Sequence, residues 1–412
     1  MTRRGRPGAL TAEASTPGLA DVGTQSRPAS GGDLATSGFF GSARVAGARF
    51  AAYDGSLVPA GFGADLLGEY WACRERALAL DLSAQHKVAI EGPDAKALLQ
   101  ATTTRDLDAL RAGRVALAAI CDEDGLLVDV GTLFCFSDER YWFVGDTTDA
   151  ASWLDGHRRS RGDAATVRSM DRELDVLAVQ GPASATVVAA IACSKGTPPG
   201  ELSWFSFCEA ALLGPEGAPL VVSRTGFSGE RGYELWCAPS DSPTLWHAVM
   251  EAGRSIGLLP GGWEVLHVLR IEAGPPFPRI DYTRANDPFE AGLAVAVSRQ
   301  KAPSYVGKAA LADRLAHPGS RLVGLRFEGG APPESGAAVL SAGSPAGVVT
   351  SAAFSPLLRA PLAFARIDPR GAAPGRRVEV TSGGWPASLP ATVGPLRVYD
   401  PDRRRLRGTH AL

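Results

Sequence analysis

The residues best suited to chemistry lie in three stretches. The first runs Arg224-Thr225-Gly226-Phe227-Ser228-Gly229-Glu230-Arg231-Gly232-Tyr233-Glu234. It is a glycine-rich loop that ends on a glutamate, and loops held by a rigid scaffold carry a disproportionate share of binding groups. A carboxylate at that place can accept two parallel N–H donors in charge-assisted bonds. The bland alternative for Glu234 is a strand glutamate on a solvated face. The second stretch is Asp122-Glu123-Asp124-Gly125, followed by Asp129 on what reads as a return strand, with Asp146 further along. A carboxyl held near a reacting group is a candidate general acid or electrostatic stabiliser. The third is Leu269-Arg270-Ile271-Glu272-Ala273-Gly274. Its guanidinium offers a planar fork to a carboxylate, and the alternative is an ordinary ion pair.

Other chemistries find little support. The six cysteines form no CxxC pair and the six histidines show no HxxxH or HExxH spacing, so no metal site is expected. There is no GxSxG elbow and no GxGxxG after a strand. The cysteines read as reduced core thiols of a cytoplasmic protein. A formal net charge of −2 gives no reason to expect nucleic acid or an anionic membrane as partner. No run approaches the roughly 20 apolar residues of a membrane span. His86, Trp71 and Trp263 read as packing residues.

These groups need elements to position them. The length of 412 residues suggests two or three packed units. Residues 1–35 are rich in Gly, Pro, Ser, Thr and Ala and read as a disordered extension. Ala64 to Leu80 has helical spacing, and Gly92-Pro93-Asp94 opens another helix. Gly113 to Phe136 reads as a hairpin around the Asp-Gly turn. Residues 177–182 read as a buried strand, Pro243 to Ile256 as an amphipathic helix, and Trp263 to Glu272 as a helix stopped by Gly274-Pro275-Pro276. After Lys308 short apolar runs alternate with Gly, Pro and Ser clusters, as in a small all-β unit. The fold class is mixed α+β followed by an all-β tail.

Five stretches in order resemble the glycine-cleavage T-protein (aminomethyltransferase) family. They are Asp81-Leu82-Ser83 with Glu91-Gly92-Pro93-Asp94-Ala95 and Thr103-Thr104-Arg105-Asp106; the Asp122–Gly125 hairpin; Gln180-Gly181-Pro182; the Arg224–Glu234 loop continuing into Leu269–Gly274 and Pro288-Phe289-Glu290-Ala291-Gly292-Leu293; and Val349-Thr350-Ser351 with Phe354-Ser355-Pro356. The resemblance implies a three-domain cloverleaf, two α+β domains and a C-terminal all-β barrel around a central funnel. On this chain it implies interleaved α+β domains over residues 36–310 and a barrel over 311–412. It implies tetrahydrofolate as cofactor, a pterin anchored by Glu234, Phe227 stacking on it, Arg270 nearby, and Leu117 and Val130 at two further folate-contacting positions. A small-molecule one-carbon donor and a monomer or homodimer complete the expectation.

The chain departs from the pattern where relatives carry their acid. The row Asp122-Glu123-Asp124-Gly125-Leu126-Leu127-Val128-Asp129-Val130 puts Val130 in that position, with Asp129 one residue early. Neighbouring strand residues face opposite ways, so Asp129 cannot substitute without a bulge. Asp146 is the other carboxyl in reach of the pattern. The expected activity is a tetrahydrofolate-dependent transfer of a methyl, methylene or aminomethyl group, with a demethylase as competitor to housekeeping glycine cleavage. The opening Tyr53-Asp54-Gly55-Ser56-Leu57-Val58-Pro59 looks more like the demethylase relatives. The alternative is a catalytically impaired folate-binding accessory protein on the same scaffold.

Overall fold

The computed structural model describes residues 34–63, 65–381 and 388–409. The expected disordered extension lies outside the described residues up to position 33. Ala35 is already tied down, its N–H donating to the Gly55 carbonyl at 2.9 Å and its carbonyl accepting from Leu57 at 2.8 Å.

Four β systems are wrapped by helices, the smallest a hairpin of Ala48–Tyr53 and Ser56–Phe62 that turns at Asp54-Gly55. A seven-stranded sheet has the order Ala192–Cys193, Phe207–Leu212, Pro219–Ser223, Gly232–Cys237, Asp175–Gln180, Leu78–Asp81, Leu259–Gly261. A five-stranded antiparallel sheet has the order Arg114–Cys121, Leu127–Ser137, Arg140–Gly145, His86–Glu91, Thr166–Ser169. The second is inserted into the first: the chain leaves the large sheet after Asp81, builds the smaller one, and returns at Asp175. The C-terminal strands close into a six-stranded barrel, Arg321–Phe327, Ala360–Ile367, Ser344–Ser355, Ala338–Ser341, Arg377–Thr381 and Leu389–Gly394. Closure leaves no edge strand to pair with another chain. The fold is the mixed α/β cloverleaf with a C-terminal barrel.

Local sequence explains most elements. The Asp-Gly turn lets Gly125 adopt φ +76° and fold Leu127–Ser137 back on Arg114–Cys121. The helix expected from Ala64 to Leu80 is shorter. It spans Leu66–Glu75, capped by the Asp65 carboxylate on the Gly68 N–H at 2.7 Å. Leu78–Asp81 is instead a strand buried throughout. A short apolar run is ambiguous between the two forms, and burial on both faces selects the strand.

The helix Trp263–Ala273 is buried along almost its whole surface, as suits an element wedged between core layers. Gly274 ends it in the left-handed conformation at φ +98°. One side meets the large sheet's core and the other meets the barrel, where His267 hydrogen-bonds the Ala352 carbonyl at 3.2 Å. The large sheet buries both its faces. Along Gly232–Cys237, Tyr233, Leu235 and Cys237 enter one core. Trp236 enters the other, together with Tyr53, Trp263 and Phe277. Strand alternation therefore sends Glu234 toward that second core.

Candidate active site

A narrow cleft lies where the second core stays incompletely filled, its empty space of about 450 Å³ including the open solvent at its mouth. Its walls include Tyr53, Gln85, Asp146, Phe227, Trp263 and Phe277. Four of these are aromatic. The Tyr53 and Trp263 rings are 4.4 Å apart, Trp263 and Phe277 6.3 Å, and Phe227 meets Phe277 edge-on at 6.2 Å. Such walls offer flat apolar faces to a planar ligand. Trp263, expected to be a packing residue, does pack, donating its ring N–H to the Asp81 carbonyl at 3.0 Å, but it also forms part of the wall.

Glu234 is 3% exposed. Its carboxylate accepts from the Thr225 hydroxyl and, at 3.4 Å, from the Ser223 hydroxyl. Among the described residues no cation pairs with it. Burial therefore dominates and pushes its pKa up to about 7, with the two hydroxyls opposing. The loop before it is fixed by Gln180 of the Gln-Gly-Pro motif. Gln180 donates to the Thr225 carbonyl at 3.2 Å and accepts from the Ser228 hydroxyl at 2.8 Å. A Cβ on Gly226 or Gly232 would come within 2.2 Å of the Gln180 amide, so only glycine admits this approach. Arg74 adds a bond to the Ser228 carbonyl at 2.8 Å.

A polar wall of the cleft is built around Asp146. The hairpin register slips between Ile120 and Cys121, so Ile120 faces Asp129 while Cys121 faces Leu127, and Val128 is the extra residue of a β-bulge. The bulge does not carry Asp129 into the cleft. Its carboxyl is buried and accepts the backbone N–H groups of Val130 at 2.7 Å, Asp146 at 3.0 Å and Thr147 at 3.3 Å. Asp129 thus pins the loop that brings Asp146 to the cleft. The Tyr282 hydroxyl donates to Asp146 at 2.9 Å, and Arg279 donates to its carbonyl at 3.3 Å. Burial raises the pKa of both carboxyls; for Asp129 the nearby Asp146 adds to the rise, while Tyr282 and Arg279 oppose it at Asp146. A half-open carboxyl raised toward neutrality suits proton donation and acceptance.

Beyond Asp146 the polar network continues. Arg279 donates to Asp54 at 2.7 Å, and His86 sits between Asp54 at 2.7 Å and Asp171 at 2.8 Å. Burial alone would lower the His86 pKa, but bonds to the two carboxylates lift it to about 9. His86 is therefore a charged bridge, where a packing role was expected.

The remaining site residues fall elsewhere. Arg270 is fully buried and committed to Asp281, with His267 Nδ1 at 3.1 Å, and its guanidinium lies 4.8 Å from the Phe277 ring centre. Its fork is thus occupied within the chain, against a face of the cleft. Asp281 is further held by the Thr350 and Ser351 hydroxyls, each at 2.6 Å. Val130 and Leu117 pack with Ala119, Leu293 and Tyr282 in a separate apolar cluster. They touch the site only through Tyr282 and the Val130 N–H. Sequence reasoning did not single out Gln85, Arg279 or Tyr282. The one signal was that Arg279-Ile280-Asp281-Tyr282 follows a Gly-Pro-Pro break, where a charged and aromatic loop is a functional hint.

Comparison with known proteins adds an independent line. The GCVT N-terminal domain matches residues 40–301, and the glycine cleavage T-protein C-terminal barrel domain matches residues 321–400. The chain is 37% identical over 343 residues to the trimethylamine-oxide aldolase of Ruegeria pomeroyi, covering 82% of this chain but only 44% of that protein. It is 34% identical to the aminomethyltransferase of Streptomyces coelicolor, over 81% of this chain and 89% of the relative. The aminomethyltransferase of Frankia alni is also 34% identical, over 90% and 97%. Among solved structures, the glycine cleavage system aminomethyltransferase T from Bartonella henselae superposes with a TM-score of 0.80 over 89% of this chain and 98% of its own, at 24% identity. At that identity the likeness is one of fold.

Proposed function

This chain belongs to the glycine-cleavage T-protein family, and from that premise we propose that it is a tetrahydrofolate-dependent one-carbon transferase acting on a small donor other than the housekeeping one. The observation that carries the proposal is an aromatic-walled cleft with the Asp146 carboxyl in its wall, together with the buried Glu234 carboxyl on the strand whose Trp236 enters the same core. Glu234 is buried with only hydroxyl partners among the described residues. A pterin edge with two parallel N–H donors would complete it as the missing partner. Phe227 and Phe277 offer the ring faces a flat heterocycle needs. The residues present therefore fit tetrahydrofolate, with Glu234 as anchor and Phe227 as stacking face.

When bound, the folate supplies the nitrogen that carries the one-carbon unit. The chain's own residues orient, exclude water and handle the proton. Asp146 is the group placed to give or take that proton, in the role that Val130 cannot fill. Tyr282 and the Asp129-pinned backbone keep its carboxyl at the wall. Holding both partners in one small cleft would supply much of the rate. The presence of Asp146 favours an active enzyme over an impaired accessory protein. The similarity to a protein named trimethylamine-oxide aldolase makes methylated amines and amine oxides the first donors to try.

Binding to the native state alone raises thermal stability, so 5-formyltetrahydrofolate should raise the melting temperature. No rise at saturation would overturn the proposal. Mass spectrometry of the folate after incubation with donors then reads the reaction. A methyl-folate marks demethylation and a methylene-folate an aminomethyl-type transfer.

A further inference from the structure

The polar end of the cleft holds more unpaired capacity than proton handling at Asp146 uses. Gln85 lines the cleft, and its Oε1 is buried with no hydrogen-bond partner among the described residues. Arg279 lies behind the lining residue Asp146, committing Nη2 to Asp54 and to the Asp146 carbonyl, and its Nη1 is also buried without a partner among the described residues. A buried polar atom left unpaired costs on the order of 1–3 kcal/mol and calls for an explanation. The backbone points to the same place. Arg279 at φ +63° holds the left-handed conformation without being glycine, and it is paired with Asp54 at the tip of the Asp54-Gly55 hairpin turn. Backbone strain of the Arg279 kind gathers at ligand clamps. Around this pair, the acids Asp54 and Asp171 face the cations His86 and Arg279.

We propose that this end of the cleft is the subsite for the one-carbon donor, where Arg279 Nη1 donates to a carboxylate or similar planar oxyanion of that molecule and Gln85 Oε1 accepts a hydrogen bond from an N–H or O–H group elsewhere on it. The inference rests on the folate reading, since it assigns the space that a pterin held by Glu234 leaves at the Asp146 end. It narrows the donor class to those methylated amines that also bear an oxyanion close to the transferable carbon. The Asp54 carboxylate at the hairpin tip serves to hold Arg279 in place before the donor arrives, which lowers the ordering cost of binding.

The test uses the full chain with 5-formyltetrahydrofolate present, and propionate and propionamide as probes of equal shape and different charge. Ligand-observed NMR should show propionate binding about 10- to 100-fold more tightly than propionamide, the range expected for a hydrogen bond to a charged group. Arg279→Gly relaxes the left-handed backbone while removing the guanidinium. It should abolish the preference and leave the folate melting shift intact. Should that variant fold poorly, Arg279→Met makes the same comparison. Equal binding of the two probes, no propionate binding, or a preference that survives both substitutions would overturn the donor subsite. A wild-type protein without a folate shift would instead overturn the folate reading.

Discussion

The two candidate carboxyls, Glu234 on the large sheet and Asp146 in the cleft wall, are held on opposite principles. Glu234 stands on the central strand of the large sheet, held by two neutral hydroxyls and lacking any counter-charge among the described residues. Asp146 stands on a loop of the inserted sheet, within a network of Asp129, Tyr282, Arg279, Asp54 and His86. A carboxylate with no cation is incomplete until a ligand brings donors, which suits recognition. A carboxyl poised among several titratable groups can change its protonation with little rearrangement, which suits proton transfer. The same residue chemistry thus serves two tasks because the surroundings differ.

The largest test of this contrast separates binding from turnover. Glu234→Ala should remove the folate melting shift entirely. Asp146→Asn should keep that shift and lower turnover by about 10²–10⁴-fold, the usual contribution of a positioned acid or base. If Asp146→Asn abolishes the shift while Glu234→Ala keeps it, the two carboxyls have been assigned the wrong way round.

A smaller effect reads the Glu234 carboxyl alone. Its folded pKa is raised from an ordinary 4.5 to about 7, so the fold favours the protonated form. The stability this gives is present below about pH 4.5 and is lost as pH rises through about 7, amounting to roughly 3 kcal/mol at about 1.4 kcal/mol per pKa unit. The ligand-free protein should therefore lose denaturant stability between pH 5 and pH 8 (approximate limits set by those pKa values), and Glu234→Gln should flatten the decline. An unchanged profile in that variant would locate the titration elsewhere. The smallest effect reads the Asp129 support. Asp129→Asn turns a donor toward the Thr147 N–H and should cost about 1–2 kcal/mol, the loss of one buried hydrogen bond. Turnover should fall less than in Asp146→Asn, and an equal fall would make Asp129 the proton-handling group.

Much of the scaffold was legible. The Asp-Gly turn, the Gly-Pro-Pro stop after Trp263–Ala273 and the evenly spaced C-terminal strands all act through local conformational preference, which the sequence states directly. Glu234 and Phe227 were legible because a glycine-rich loop ending in a strand is a local motif. Asp146 was only one of several candidate carboxyls, since what distinguishes it is Tyr282, 136 positions away in the chain. For Arg270 the sequence left a ligand and an ion pair both open, and the ion-pair partner, Asp281, lies across a Pro-rich loop that folds back onto the helix.

By itself, then, the sequence determined the kinds of element, the family pattern and the loop that carries Glu234, because each rests on residues near one another in the chain. It also determined that Val130 is no acid. Only the tertiary structure decided which carboxyl stands at the cleft in its place. The β-bulge at Val128 turns Asp129 onto backbone N–H groups, and contacts between distant segments gather Asp146, Tyr282 and Arg279. Those contacts follow from how two sheets and a buried helix pack, a long-range property that no local spacing encodes.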